Sequence, residues 1–502
     1  MAAIENIEAY IAEEFQWFHR HPELSYEEVE TTKRIRASLE RAGIRILDLP
    51  LKTGLVAEIG AGETIVALRS DIDALPIEEQ TDLPYRSEHT GRMHACGHDF
   101  HISSVLGAAL LLKQREAELA GRVRIFFQPA EEAPGGAKVL IEAGALQDVT
   151  AIFGLHASPL LEVGTVGISA GAVMAAVDRF VFRFRGKGTH AAHPEAGVDP
   201  IPLTAAFVQS VQTVVARNLN PFSAGLVSVT HIEAGNTWNV IPETAYLEGT
   251  TRTLSAKDRA LVKKRIYALA DSIEKSHGVK TEITWHAGPP ATNNTAHWTA
   301  VARSVAEEMR VPMEIPSGWM AGEDFAYYQE KLPGLFVLAS TGPSAANHNP
   351  KFQVNPKTIL PTAKYMAKLV EKALKEKDSK TCIQCKRVYE AAEESDGVRV
   401  LCDRLWPRGI KKENLKYDIW AKEITPSKEI RELLHKGEMP FDGFAEAYRE
   451  ELEASESVAA FVKKCRAWLK HENVTLLYAT KNTEKNHALV LRAWLSQQVK
   501  RA

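Results

Sequence analysis

Cysteine is scarce: five residues in a chain of 502, an odd number spread over its length. That pattern excludes a small scaffold stapled by disulfides. No stretch approaches the roughly 20 consecutive apolar residues that a membrane helix needs. Long runs of one charge are also missing. Lys and Arg total 61 against 64 Asp and Glu, a formal net charge of -3, so nothing asks for nucleic acid. Repeats and low-complexity tracts are absent. Residues Met1 to Glu14 are acidic and helix-patterned, without a basic stretch followed by an apolar one. No signal peptide is therefore expected, and the cytoplasm is the expected location. What is present is ordinary globular composition, 45% hydrophobic and 25% charged. The length predicts two to four domains.

Apolar positions Ile7, Tyr10, Ile11, Phe15 and Phe18 fall at helical spacing until His21-Pro22 breaks the pattern. Strand-like runs then alternate with helices. Strands are predicted at Thr64 to Arg69, Arg122 to Phe127, Ala151 to Leu155 and, much later, Gly334 to Ala339. Ile102 to Gln114 reads as an apolar helix. This alternation predicts a three-layer α/β domain. Between Val177 and Ala287 the order becomes strand, helix, strand, strand, helix, strand, which is ferredoxin-like. We read it as an insertion, because the α/β rhythm resumes with a helix at Trp298 to Glu308. The helix Pro361 to Glu376 closes the module. The expected boundaries are 1–176 and 289–376 for the α/β domain, 177–288 for the insert and 377–385 for a linker. A small α/β domain at 386–502 follows.

Unusual residues cluster where strands end, the place where open α/β sheets build sites. Asp71-Ile72-Asp73 ends one strand, Gln128-Pro129-Ala130-Glu131-Glu132 another and His156 a third. His348-Asn349-Pro350 follows the late strand. Met93-His94-Ala95-Cys96-Gly97-His98-Asp99 opens the apolar helix. Cys, His and carboxylate are transition-metal ligand types. Of two adjacent carboxylates, one can hold a metal while its neighbour acts as a base toward water. A thiolate can bridge two cations. Each group alone has a plainer reading. Cys96 is a small core residue. The histidines are hydrogen-bonded core groups, Glu131-Glu132 is a solvated loop, and Asp71 and Asp73 cap a turn. Their common placement argues against all of these together.

The segments His19 to Ser25, Asp71 to Pro76, Met93 to Asp99, Gln128 to Glu132 and Gly322-Glu323-Asp324-Phe325 closely resemble the aminoacylase and carboxypeptidase superfamily of dimetal hydrolases. The resemblance covers about residues 1 to 376. Its subgroup is that of hippurate hydrolases, N-acyl amino acid deacetylases and auxin-conjugate hydrolases. It implies two divalent metals (Zn, Mn, Co or Ni) on Cys96, His98, Glu132, His156 and His348, with Cys96 bridging. It implies Glu131 as general base and acid, and a lid and dimerisation role for the insert. Gly188-Thr189-His190-Ala191-Ala192 resembles a lid segment whose His polarises the scissile carbonyl, sometimes in the partner subunit. Thr189 departs from the more usual Gly. Asn239 and Arg252 are implied substrate contacts, with a structural role as the alternative. His193 and His231 also lie in the insert. The implied reaction is cleavage of N-acyl amino acids. The alternatives are an exopeptidase on short peptides and a non-catalytic binding protein, against which the intact Glu131 speaks.

Residues from about Lys386 resemble a small bacterial domain of unknown function, through Val400 to Gly409, Thr475 to Ala479 and Asn486-His487-Ala488. Asp403, Arg404, Arg408, Lys481 and His487 read either as an anion site at strand ends or as surface ion pairs and caps. Cys382 and Cys385 form a C-x-x-C without a second pair nearby. Unpaired linker thiols are expected there rather than a zinc site.

Overall fold

The computed structural model describes residues 6–133, 135–315, 318–376, 382–469, 472–483 and 485–499. The chain divides into two compact units. One comprises Met1–Asn294, Ala302–Glu330 and Leu335–Leu374; the other comprises Thr295–Val301, Lys331–Gly334 and Lys375–Ala502. Among the described residues no helix is long and apolar enough to cross a membrane.

The first unit is built on an eight-stranded mixed sheet. Its order is Arg45–Ile46, Leu55–Gly60, Arg122–Gln128, Ile65–Asp71, Val149–Ser158, Gly334–Ser340, Val166–Gly167 and Met313–Glu314. The central strand Ile65–Asp71 runs parallel to both neighbours and is buried at every residue. A strand covered on both faces needs apolar residues throughout, which Ile65, Val66, Ala67 and Leu68 supply. Helix His98–Gln114 packs against it, almost wholly buried. Elements not expected from the sequence include the helices Val29–Arg41 and Gly136–Glu142 and the strand Leu55–Gly60. The expected elements recur with boundaries shifted by at most four residues.

Residues 176–287 form a separate four-stranded antiparallel sheet with two helices, Pro200–Asn218 and Ala256–His277. Its order is Gly225–Ala234, Thr244–Thr253, Ala176–Arg185 and Lys280–Ala287. Strict alternation puts Phe180, Phe182 and Phe184 in the core, with Arg179, Arg183 and Arg185 outside. The chain enters and leaves this layer side by side. Val177 N–H donates to Pro289 O at 3.1 Å, and Gly288 N–H to Val177 O at 2.9 Å. Arg259 clamps the crossing, donating to Asp178 and, at 2.8 Å, to Gly288 O.

The second unit holds a four-stranded, all-parallel sheet: Ile383–Arg387, Val474–Tyr478, Val398–Leu401 and Ile419–Trp420 in spatial order. Both faces are covered. Val400 and Leu476 join Phe444, Tyr448 and Leu491 on one side; Leu401 and Leu477 join Val388 and Leu415 on the other. The strand Ile383–Arg387 takes Cys385 out of the expected linker. Its thiol donates to Ala488 O at 3.3 Å, while Cys382 is exposed and both are free. Pairing with Val474–Tyr478 converts this polar stretch into a strand. Residues 377–381 of the expected linker lie outside the described residues.

Candidate active site

The carboxyl ends of the parallel strands gather the groups singled out from the sequence. His98 is the first residue of its helix, and Gly97 before it has φ +87°. A Cβ on Gly97 would lie 2.7 Å from the Cβ of Ala157, so glycine is required by both conformation and space. Glu131 and Glu132 follow strand Arg122–Gln128, after Ala130 at φ +51°. His156 lies within strand Val149–Ser158 near its end. His348 also has a positive φ, +64°, and its N–H donates to Ala95 O at 2.8 Å. Two non-glycine residues in the left-handed region beside one site mark backbone held by its surroundings.

Ligand atoms converge in two triads that share a thiol. Cys96, His98 and His156 form one; Cys96, Glu132 and His348 form the other. Cys96 Sγ lies 3.5 Å from His156 Nε2, and Glu132 Oε1 lies 3.3 Å from His348 Nε2. Two of the histidines, His156 and His98, engage Nδ1 and leave Nε2 toward the cluster. His156 donates Nδ1–H to Ala157 O at 2.9 Å, which leaves Nε2 with a free lone pair. Burial pushes its pKa down to about 3, so it stays neutral. His98 turns Nδ1 to Asp73 O at 2.9 Å and Asp73 Oδ1 at 3.2 Å.

His98 Nε2 and Glu132 Oε1 are buried without a hydrogen-bond partner. Buried polar atoms almost always have one. Two orphans 3.9 Å apart, beside a buried thiol, fit a cation between them. Burial opposes a charge on His98. The carboxylates Asp71, Asp73 and Glu132 outweigh it and push its pKa up to about 10. A metal cation answers the same carboxylates. Burial, with Glu132 and Glu131, drives the Cys96 thiol well above its usual range, so a thiolate here needs a cation partner. The donor set of thiol, imidazole and carboxylate suits first-row divalent ions.

Beneath the ligands runs a polar network that the sequence reading gave no role. Arg69 is fully buried. It donates to Asp71 at 2.7 Å, Gln128 at 2.9 Å, Glu323 at 3.0 Å and Asp324 at 2.8 Å. Asp71 accepts from His101 Nδ1 at 2.5 Å, and His101 Nε2 accepts from Ala157 N–H at 2.7 Å. Asp73 accepts from Ser25 Oγ at 2.7 Å and Glu132 N–H at 3.0 Å. The detectable signal was an arginine inside an otherwise apolar strand, which only buried carboxylates satisfy. Glu131, Glu323 and Asp324 form one cluster. Burial first, then Glu323, Glu132 and Asp324, hold Glu131 well above the ordinary carboxyl range. A buried carboxyl beside the ligand triads is a candidate proton acceptor and donor.

These residues open onto a cavity of about 1030 Å³. Cys96, Glu131, Glu132, His156 and His348 line it, and Arg252 reaches it from the inserted layer. Arg252 is half-buried and donates to Thr251 O at 3.0 Å. Met174, Trp319 and Tyr327 supply apolar wall. His190 and Asn239 are not brought to this cavity. His190 is exposed on the short pairing of Thr189–His190 with Val240–Ile241, and its Nδ1 accepts from Ala192 N–H at 3.0 Å. Asn239 O accepts from Ala191 N–H, also at 3.0 Å.

Residues 67–372 match the sequence profile described as peptidase family M20/M25/M40. Residues 382–502 match one described as the inactive DUF488-N3 subclade. The chain is 45% identical over 359 residues to the N-acetyl-L-cysteine deacetylase of Bacillus subtilis, covering 71% of this chain and 86% of that one. It is 37% identical over 377 residues to an IAA-amino acid hydrolase of Arabidopsis thaliana, covering 72% and 86%. Among solved structures it is similar to a dinuclear metal-binding M20 peptidase of Bacillus subtilis. That match has a TM-score of 0.67 at 41% identity, covering 74% of this chain and 99% of the other.

Proposed function

The chain belongs to peptidase family M20/M25/M40 and is a metal-dependent hydrolase of amide bonds; we propose that its substrates are small N-acylated amino acids. The observation that carries this reading is the pair of ligand triads sharing Cys96, with Glu131 beside them. Two divalent ions, which we take to be Zn, Mn, Co or Ni, would be held by Cys96, His98, Glu132, His156 and His348; bound there they acidify water and polarise a carbonyl. Glu131 takes the proton from the attacking water and passes it to the leaving amine. Arg252 pairs with the substrate carboxylate at the cavity wall. The acyl group rests against Met174 and Trp319.

The roles of His190 and Asn239 belong to the same proposal. The layer 177–288 serves as lid and as the contact between two subunits. It exposes Phe222, Ile232, Trp238 and Val240, apolar groups that a second copy covers. His190 then completes the partner's site, stabilising charge on the carbonyl oxygen. We also propose 1–176 with 289–376 as the catalytic domain and 386–502, joined by the strand that begins at Ile383, as a separate domain, which shortens the expected linker 377–385 to 377–382. A cytoplasmic location fits the five free cysteines.

The test is metal content together with hydrolysis of N-acetyl- and N-benzoyl-amino acids, N-acetylcysteine and dipeptides, by wild type and Glu131→Gln. Two metals per chain in both proteins and a rate loss of about 10² to 10⁴ or more in the variant are expected. A metal-free chain, or a variant as fast as wild type, overturns the assignment. Preference for dipeptides would replace the substrate class. Mixing inactive His190→Ala and Glu131→Gln subunits should restore part of the activity if the lid acts in the partner.

A further inference from the structure

We propose that the second unit carries a ligand site of its own, for a small phosphorylated molecule of nucleotide size. A cavity of about 320 Å³ lies beyond the carboxyl ends of strands Val398–Leu401 and Val474–Tyr478. That is where parallel sheets place ligands, and the volume is at the lower end of the small-molecule range. Its walls come from the segments that follow those strands, 402–408 and 479–480, and from the start of helix His487–Gln498.

The lining is strongly one-sided in charge. Arg404, Arg408, Arg431 and Lys485 face one carboxylate, Asp403. Among the described residues none of the four cations has an ion-pair partner. Arg431 donates only Nε–H, to Ser427 O at 3.1 Å, so its two terminal nitrogens keep their hydrogen-bonding capacity. Arg399, by contrast, is paired with Asp396 in the wall of the sheet. Four uncompensated cations around one concavity repel one another, and a multiply charged anion removes that cost.

Asp403 is engaged as a brace. Its Oδ2 accepts from Ala479 N–H at 2.7 Å, tying the ends of the two strands together. His487 Nε2 lies 3.3 Å from its Oδ1 and 3.0 Å from Cys402 O. Burial raises Asp403 to about 6, which further weakens its competition with an anion. The cavity is larger than a bare phosphate needs. Trp406 forms part of its wall, fixed by Nε1–H donating to Ile410 O at 2.6 Å and by edge contact with Trp420. A rigid indole beside cations suits a phosphate ester with a planar body. A cavity of this volume favours a small molecule over a polymer.

The full chain should be titrated calorimetrically with ADP, pyrophosphate and adenosine. Saturable binding of ADP, weaker binding of pyrophosphate and none of adenosine are expected. Arg404→Gln combined with Arg431→Gln should weaken ADP at least about tenfold, the worth of one charge-assisted contact. Amide hydrolysis and thermal unfolding should stay as in wild type, which shows the variant folds. Lys485→Gln alone should weaken ADP in the same direction. Absence of binding by ADP and pyrophosphate at millimolar concentration overturns the proposal. So does ADP affinity unchanged in the double variant, or binding confined to RNA.

Discussion

Asp73→Asn isolates the positioning of ligands from the chemistry. Asp73 accepts three hydrogen bonds through its side chain, from His98 Nδ1, Ser25 Oγ and Glu132 N–H. An amide keeps one oxygen and turns the other position into a donor. If the NH₂ takes the Oδ1 place it faces a donor, His98 Nδ1–H. If it takes the Oδ2 place, Ser25 can rotate to accept, but Glu132 N–H loses its acceptor. The second arrangement costs less: one unsatisfied buried N–H, about 1–3 kcal/mol. His98 then keeps its tautomer through Asp73 O at 2.9 Å, so the damage falls on Glu132. Metal affinity should drop by about 10- to 100-fold, the usual range for a partner that orients a ligand. Competition against a chromophoric chelator measures it, with activity at saturating metal as the second readout. Activity should recover largely when metal is supplied in excess. Unchanged affinity with lost activity would refute the reasoning and move Asp73 into the chemistry.

Arg69→Met removes the cation shared by Asp71, Glu323 and Asp324, and should cost about 3–5 kcal/mol in denaturant unfolding; a change below 1 kcal/mol, on the order of a surface ion pair, would show that these carboxyls are neutral. His19 sits 2.6 Å from Asp99 and 3.1 Å from Glu79. Burial opposes its charge, the two carboxylates prevail, and its pKa is raised to about 9. A pKa raised on folding stabilises fully below the unfolded value of about 6.5 and is lost as pH climbs through 9, so the stability gap of roughly 3 kcal/mol between wild type and His19→Gln should shrink across that window. A flat gap contradicts this. Phe182→Ala empties the centre of the inserted layer, where Phe182 packs on Phe207, and should cost about 3–5 kcal/mol without changing metal content.

The parts legible in the sequence share one property: their pattern is local. Ile65 to Leu68 and Leu335 to Ala339 are unbroken apolar runs. The inserted layer shows alternation along Ala176–Arg185. Leu55–Gly60 escaped because Glu58 interrupts it, and that carboxylate is buried only because Arg45, Arg122 and Arg124 converge on it from distant segments. Helix Val29–Arg41 buries a narrow stripe, mainly Ile35 and Leu39, among charges and two threonines. Strand Ile383–Arg387 exists through its partner 91 residues away, since Ile383 pairs with Val474. At the site the residues that cluster, Cys96, His98, Glu132, His156 and His348, were readable from their motifs. The Arg69 network was not, because a buried charge is defined by what surrounds it.

The side-by-side crossing at Val177 and Gly288 bears on the history of the chain as well as on its motion. Ends already hydrogen-bonded to each other need no loop to be closed between them. A segment of more than one hundred residues, 176–287, can therefore be replaced by a short turn at little entropic cost to the sheet beneath. Conversely, a new layer can be added at that point without breaking the register of any strand in the larger sheet. With the crossing held at Arg259, changes of recognition surface in the inserted layer leave the strand ends of the larger sheet where they are.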